Sequence, residues 1–279
     1  MSASEFAPAK INLALHVRRR EADGYHALET LFVFADVGDT VRWLGEADGF
    51  DLALEGRFAG ALEHDPDNLV LLAARALAQA AGVRCGARLT LDKMLPVASG
   101  LGGGSADAAA ALRLLNRVWG LAWPVARLAD LGAMLGADVP ACVRSVPMRG
   151  EGRGERLGPI AFAGAAVVLV NPGVAVSTAA VFGAWDGVDR GALDDGNALT
   201  AARTGRNDLE LPARAIAPAI DGALALLAAQ PGAGLVRMSG SGATCFGLFA
   251  DELRAAAGGR AIAAAQPGWW VATGNLLPS

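Results

Sequence analysis

Between Lys10 and Val17 two kinds of position alternate: Ile11, Leu13, Leu15 and Val17 point one way, and Lys10, Asn12, Ala14 and His16 the other. That is the period of a strand with one buried face. Leu28–Phe34 and Thr40–Leu44 read as further strands, and Asp23-Gly24 is a hairpin-turn pair, so the chain opens as a β-meander. At Asn68 the spacing becomes helical, with Leu69, Leu72, Ala73, Ala76 and Leu77 on one face and Gly82 as the stop. A strand over Ala87–Asp92 follows. Three helices are then predicted: Ser105 to about Val118, Pro124 to Leu135 with Gly136 behind it, and one with Pro140 in its first turn.

Met148–Leu157 (MRGEGRGERL) is a glycine-interrupted charge run and reads as a domain boundary. Beyond it come a strand at Ala166–Val170, helices at Ser177–Trp185 and Ile216–Ala229, strands at Val236–Met238 and Thr244–Phe249, a helix at Asp251–Ala265 and a strand at Trp269–Thr273. This is an α+β sandwich pattern, ferredoxin-like in its second half. A chain of 279 residues is of the size at which one core becomes two. The expected division is 1–150 and 151–279, with small substrates bound in a cleft between the two.

Composition narrows the class. Hydrophobic residues are 53% and charged residues 19%, which excludes a disordered chain. The net charge of −4 and the scatter of the arginines give no basic footprint, so nucleic acid is not an expected partner. Cys85, Cys142 and Cys245 form no CxxC pair, which suits reduced thiols rather than a disulfide framework or a zinc site. The start MSASEFAPAK lacks a basic segment followed by an apolar run, and no unbroken apolar stretch reaches ~20 residues. The expectation is a cytoplasmic protein, monomer or homodimer, that acts on a small molecule away from membranes.

The candidate chemistry starts at Pro96, Val97, Ala98, Ser99, Gly100, Leu101, Gly102, Gly103, Gly104 and Ser105, between a strand and a helix. Backbone N–H groups and the positive end of the helix dipole form an anion site there, and glycines let the backbone approach a phosphate. A Cβ at Gly103 is expected to intrude where phosphate oxygens approach. No Lys-Ser or Lys-Thr follows the last glycine, as a Walker A loop requires, and Ser105 takes the place of the third glycine of a dinucleotide fingerprint. A polyphosphate cradle of another kind remains.

This loop resembles the second motif of the GHMP kinases, of the form P-x-x-x-G-L-G-G/S-S. Further blocks resemble the branch of that family that acts on a cytidine-bearing substrate: Ala7–Leu13, Asp23-Gly24-Tyr25-His26, Leu135–Pro140, Gly205–Glu210 and Met238–Phe246. The resemblance implies a two-domain α+β GHMP kinase fold with the active site in the interdomain cleft. It also implies phosphorylation by ATP of the 2-hydroxyl of 4-diphosphocytidyl-2-C-methyl-D-erythritol, in the non-mevalonate route to isoprenoid precursors. Lys10 and Asp138 match the catalytic pair, the carboxylate accepting the hydroxyl proton and the lysine favouring its charged form. By the same resemblance Asn12, Tyr25, His26 and Phe182 bind substrate, with the two aromatic rings stacking on the pyrimidine and His26 reading its edge. Ala106 joins the phosphate loop, in a place where a second hydroxyl is common, and Asn68 lies near the adenine.

Taken without the family, Asp138 before Pro140 also reads as a helix cap, Asn68 as an N-cap and Lys10 as a solvated strand lysine. Mg²⁺ is implied on the ATP phosphates, with no metal-ligating residue assignable. A mevalonate or homoserine kinase and a catalytically silent nucleotide-binding regulator are the competing readings.

Overall fold

A computed structural model describes residues 3–62 and 67–279. Asp65 and Pro66, which precede Asn68 in sequence, lie outside the described residues. The chain forms two compact units that interleave in sequence: one takes the chain up to Ala9 with Gly38–Val97 and Gly102–Ser145, the other Lys10–Val37, Ala98–Leu101 and Val146–Ser279. Two long strands, β1 (Ala3–Arg20) and β2 (His26–Ala47), therefore contribute residues to both. The expected pair of strands at Leu28–Phe34 and Thr40–Leu44 is one continuous strand.

In the first unit the far end of β2 pairs antiparallel with β4 (Gly86–Asp92), and β3 (Phe50–Glu55), absent from the expectation, runs parallel to β4. Among the described residues it also holds the α-helices α1 (Leu69–Ala81), α2 (Gly103–Val118), α3 (Val125–Ala133) and α4 (Val139–Arg144). Asn68 caps α1, its side chain accepting from the Val70 N–H at 3.0 Å, and Gly82 closes it in the left-handed conformation. Ala106 and Ala108–Ala111 of α2 are buried; small side chains let α1 and α4 pack close to it.

The last segment of the second unit, Val146–Ser279, begins with β5 (Met148–Gly152) and β6 (Arg156–Pro159). Then follow β7 (Ala165–Asn171), α5 (Thr178–Gly183), α6 (Ala198–Thr204), α7 (Glu210–Ile216), α8 (Ala219–Ala228), β8 (Ala233–Met238), β9 (Cys245–Phe249), α9 (Glu252–Ala265) and β10 (Trp270–Leu276). The sheet runs β10-β7-β9-β8, all antiparallel, with α8 and α9 packed against it. This is the split β-α-β order of a ferredoxin-like layer.

Three differences from expectation have physical causes. The charge run at Met148–Leu157 is a hairpin: β5 pairs with Leu28–Phe32 of β2, and Arg149 Nη2 donates to Glu29 Oε2 at 2.9 Å. Helix α8 is shorter than expected because Pro218 separates it from α7. Strand β1 is buried on both faces from Ala7 to Val17, so Lys10, Asn12 and His16 are not on a solvated side.

Candidate active site

Burying the polar face of β1 requires a partner for each side chain. Lys10 is 4% exposed; its Nζ donates to Asn12 Oδ1 at 2.8 Å and lies 5.4 Å from the Phe32 ring centroid. Asn12 Nδ2 donates to Thr30 Oγ1 at 2.7 Å, and that hydroxyl donates to the Ala14 carbonyl. His16 is held through both ring nitrogens, Nδ1 against the Gly191 carbonyl and Nε2 accepting from the Arg206 N–H.

The loop Pro96–Ser105 belongs to both units, and its middle is pinned by its own carbonyls. Ser99 accepts from the Thr244 N–H at 3.0 Å, Gly100 from Ser239 Oγ at 2.9 Å and Leu101 from the Lys10 N–H at 2.9 Å. The backbones approach so closely that a Cβ on Gly100 would fall 2.3 Å from the Ser239 carbonyl, at a residue with φ of +80°. Ser239 Oγ also accepts from the Asn12 N–H at 3.1 Å, so one hydroxyl ties β1 to the loop. The turn Gly240-Ser241-Gly242 is placed by Asn207, whose Nδ2 donates to the carbonyls of Met238 and Gly240, both at 2.8 Å. That is the structural task of the Gly205–Glu210 block.

Helix α2 begins at Gly103 rather than Ser105, with Gly102 in the left-handed conformation as its N-cap. The Ala106 N–H bonds to the Gly102 carbonyl, so the N–H groups of Gly103, Gly104 and Ser105 precede the first helical bond. A Cβ at Gly103 would stand 3.0 Å from Lys93 Nζ, so a side chain there also presses on Lys93.

Lys93 was not expected. The chain has 24 Lys and Arg, and only Lys10 and Lys93 are lysines, a signal the sequence did offer. Lys93 is 2% exposed, and its Nζ donates to Asp39 Oδ2 at 2.5 Å and Asp107 Oδ2 at 2.6 Å. Asp39 Oδ1 also accepts the N–H groups of Met94 and Leu95, whereas Asp107 Oδ1 has no hydrogen-bond partner among the described residues. Burial therefore pushes Asp107 up to about 7 despite Lys93, while Lys93 itself is raised because two carboxylates outweigh its burial. A carboxyl raised in the folded state stabilises below its unfolded value near 4, and that contribution is lost as pH rises toward 7. Stability of the natural chain relative to Asp107→Asn is expected to fall between pH 4 and 8, read from denaturant midpoints. Parallel pH curves for the two would show that folding does not raise the Asp107 pKa.

Tyr25 and His26 face different neighbours. The His26 ring lies 5.1 Å from Phe182 and 5.7 Å, edge-on, from Trp185, another residue that sequence reading missed. Burial, then Arg20, lowers the His26 pKa, so the imidazole is neutral at pH 7. Arg20 Nε approaches Nε2 at 3.4 Å, which places the ring hydrogen on Nδ1. Tyr25 is 60% exposed, with the Arg153 guanidinium 4.1 Å from its ring centroid. Asp138 occupies the N-cap position of α4, but its side chain makes no capping hydrogen bond. Of the cysteines, burial raises Cys245 far above a reactive thiol's range.

The GHMP kinases N-terminal domain matches residues 68–145 and the GHMP kinases C-terminal domain residues 190–268. A 4-diphosphocytidyl-2-C-methyl-D-erythritol kinase of Rhizorhabdus wittichii is 55% identical, covering 99% of this chain and 95% of the relative. The chain belongs to the GHMP kinases. Among solved members, a 4-(cytidine 5'-diphospho)-2C-methyl-D-erythritol kinase superposes with a TM-score of 0.82 at 32% identity, covering 99% of this chain and all of that one. The homoserine kinase of Cytophaga hutchinsonii superposes with a TM-score of 0.74 at 18% identity over 99% and 95%, which shows the shared GHMP fold alone. Among the described residues no helix is long and apolar enough to cross a membrane.

Proposed function

We propose that this GHMP kinase transfers the γ-phosphoryl group of ATP to the 2-hydroxyl of 4-diphosphocytidyl-2-C-methyl-D-erythritol. The observation that carries the reading is the 55% identity, over nearly the whole of both chains, to a kinase of that name. The site agrees with it. A neutral His26 with a hydrogen on Nδ1, packed against Phe182 and Trp185, can read the edge of a pyrimidine, and Tyr25 and Phe182 offer the two rings to stack on it.

In the proposed reaction Asp138 accepts the hydroxyl proton as that oxygen bonds to the γ-phosphorus. The bond from the γ-phosphorus to the β,γ-bridging oxygen breaks and ADP leaves. Lys10 stabilises the charge of the reacting groups, and the loop Pro96–Ala106 holds the triphosphate with N–H groups at the start of α2. Asn68 stands near the adenine while capping α1. Among the described residues no three His, Cys, Asp or Glu stand together as a metal cluster. Mg²⁺ is proposed to arrive on ATP, held mostly by phosphate and water ligands. Residues 1–150 and 151–279 are proposed as the two family domains, each containing one family match, and the enzyme as cytoplasmic.

Tyr25→Ala is expected to raise KM for the cytidyl substrate by roughly 5- to 150-fold, the cost of one lost base-stacking contact. KM for ATP should stay constant, and Tyr25→Phe should behave as the natural enzyme because stacking needs the ring alone. A rise in KM for ATP instead would move Tyr25 to the nucleotide site.

A further inference from the structure

We infer that Arg153 is a positioning residue for the pyrimidine: its guanidinium covers one face of Tyr25 and holds the ring so that the other face meets the base. The inference rests on the proposed placement of the pyrimidine at Tyr25. An exposed tyrosine at the end of a turn ordinarily samples several rotamers. This one sits beneath a cation, with Arg153 Cζ 4.1 Å from the ring centroid.

The cation is itself fixed. Arg153 Nε and Nη2 donate to Glu21 Oε2 at 3.2 and 3.1 Å, and Nη2 also donates to Asp23 Oδ2. Those carboxylates belong to the turn that carries Tyr25. The Tyr25 N–H donates to Asp23 Oδ1 at 3.2 Å, and the Glu21 N–H to the Tyr25 carbonyl at 2.7 Å. Arg153 therefore grips the turn by two carboxylates and the ring by its face.

The hairpin supplies the reach. Strand β5 pairs with β2 up to Leu28 opposite Gly152, so the next residue of the hairpin comes level with the chain just after Tyr25. Arg153 stands at the tip between Gly152 and Gly154, with φ of +74° and +104°, conformations that only glycine adopts at little cost. The segment that reads in sequence as a domain boundary is thus a bracket for the substrate tyrosine.

Tyr25 is the only tyrosine in the chain, so 3-fluorotyrosine gives a full-length enzyme with a single ¹⁹F resonance. The expected result is that Arg153→Ala shifts this resonance, and that cytidine shifts it in both proteins. Titration with cytidine should show affinity about 2- to 5-fold weaker in Arg153→Ala, the scale of an exposed cation–π contact, with kcat and KM for ATP unchanged. In a Tyr25→Ala background the Arg153 substitution should have no further effect on cytidine. A resonance that does not respond to Arg153→Ala overturns the inference, as does a loss seen with cytidine diphosphate but not with cytidine. A resonance that responds to Arg153→Ala but never to cytidine leaves the Arg153–Tyr25 bracket standing and overturns its substrate role, together with the placement of the pyrimidine.

Discussion

Asp138→Asn is expected to lower kcat by ~10²-fold or more with ATP affinity retained, because it removes a base while keeping the shape of the side chain. Asp138 stands at the N-cap position of α4 without bonding to its N–H groups, so the amide costs the helix no cap. A variant with near-normal turnover would show that Asp138 is not the base. A variant whose thermal midpoint falls along with its rate would reassign it to the scaffold.

Lys10→Met is expected to cost ~10²-fold or more in kcat, the scale of removing one preorganised charge from a reacting centre. Methionine keeps the length of the buried stem but leaves Asn12 Oδ1 without the Lys10 donor at 2.8 Å. Some loss of stability is therefore expected beside the loss of rate, and the two are separated by measuring turnover well below the melting transition. The double variant with Asp138→Asn should lose little beyond either single change, because residues that act as one unit are strongly non-additive. Independent, multiplied losses would show that the two do not act together.

The α+β class and most elements were legible from apolar period and glycine stops, as at α1 with its cap at Asn68 and its stop at Gly82. What was not legible depends on partners distant in sequence. The hairpin β5–β6 carries charge where a strand pattern expects apolar residues, and it is stable because Arg149 meets Glu29 across the ladder. The polar face of β1 looked solvated because nothing near it in sequence announces Thr30, Gly191 or Arg206 as partners. In the candidate site the glycine loop, Tyr25, His26 and Phe182 could be named from motif and resemblance. Trp185, Arg153 and the Lys93–Asp39–Asp107 cluster could not, since each takes its role from a contact made by the fold. The scarcity of lysine was the one local hint, and it pointed to Lys93: a compact ammonium fits between two buried carboxylates where a guanidinium fork does not.

Coupled ADP release measured with 4-diphosphocytidyl-2-C-methyl-D-erythritol against mevalonate, homoserine and galactose tests the substrate assignment most directly. The assignment predicts sustained ADP release with the cytidyl substrate alone. Turnover with one of the other three, and none with the cytidyl compound, would contradict it.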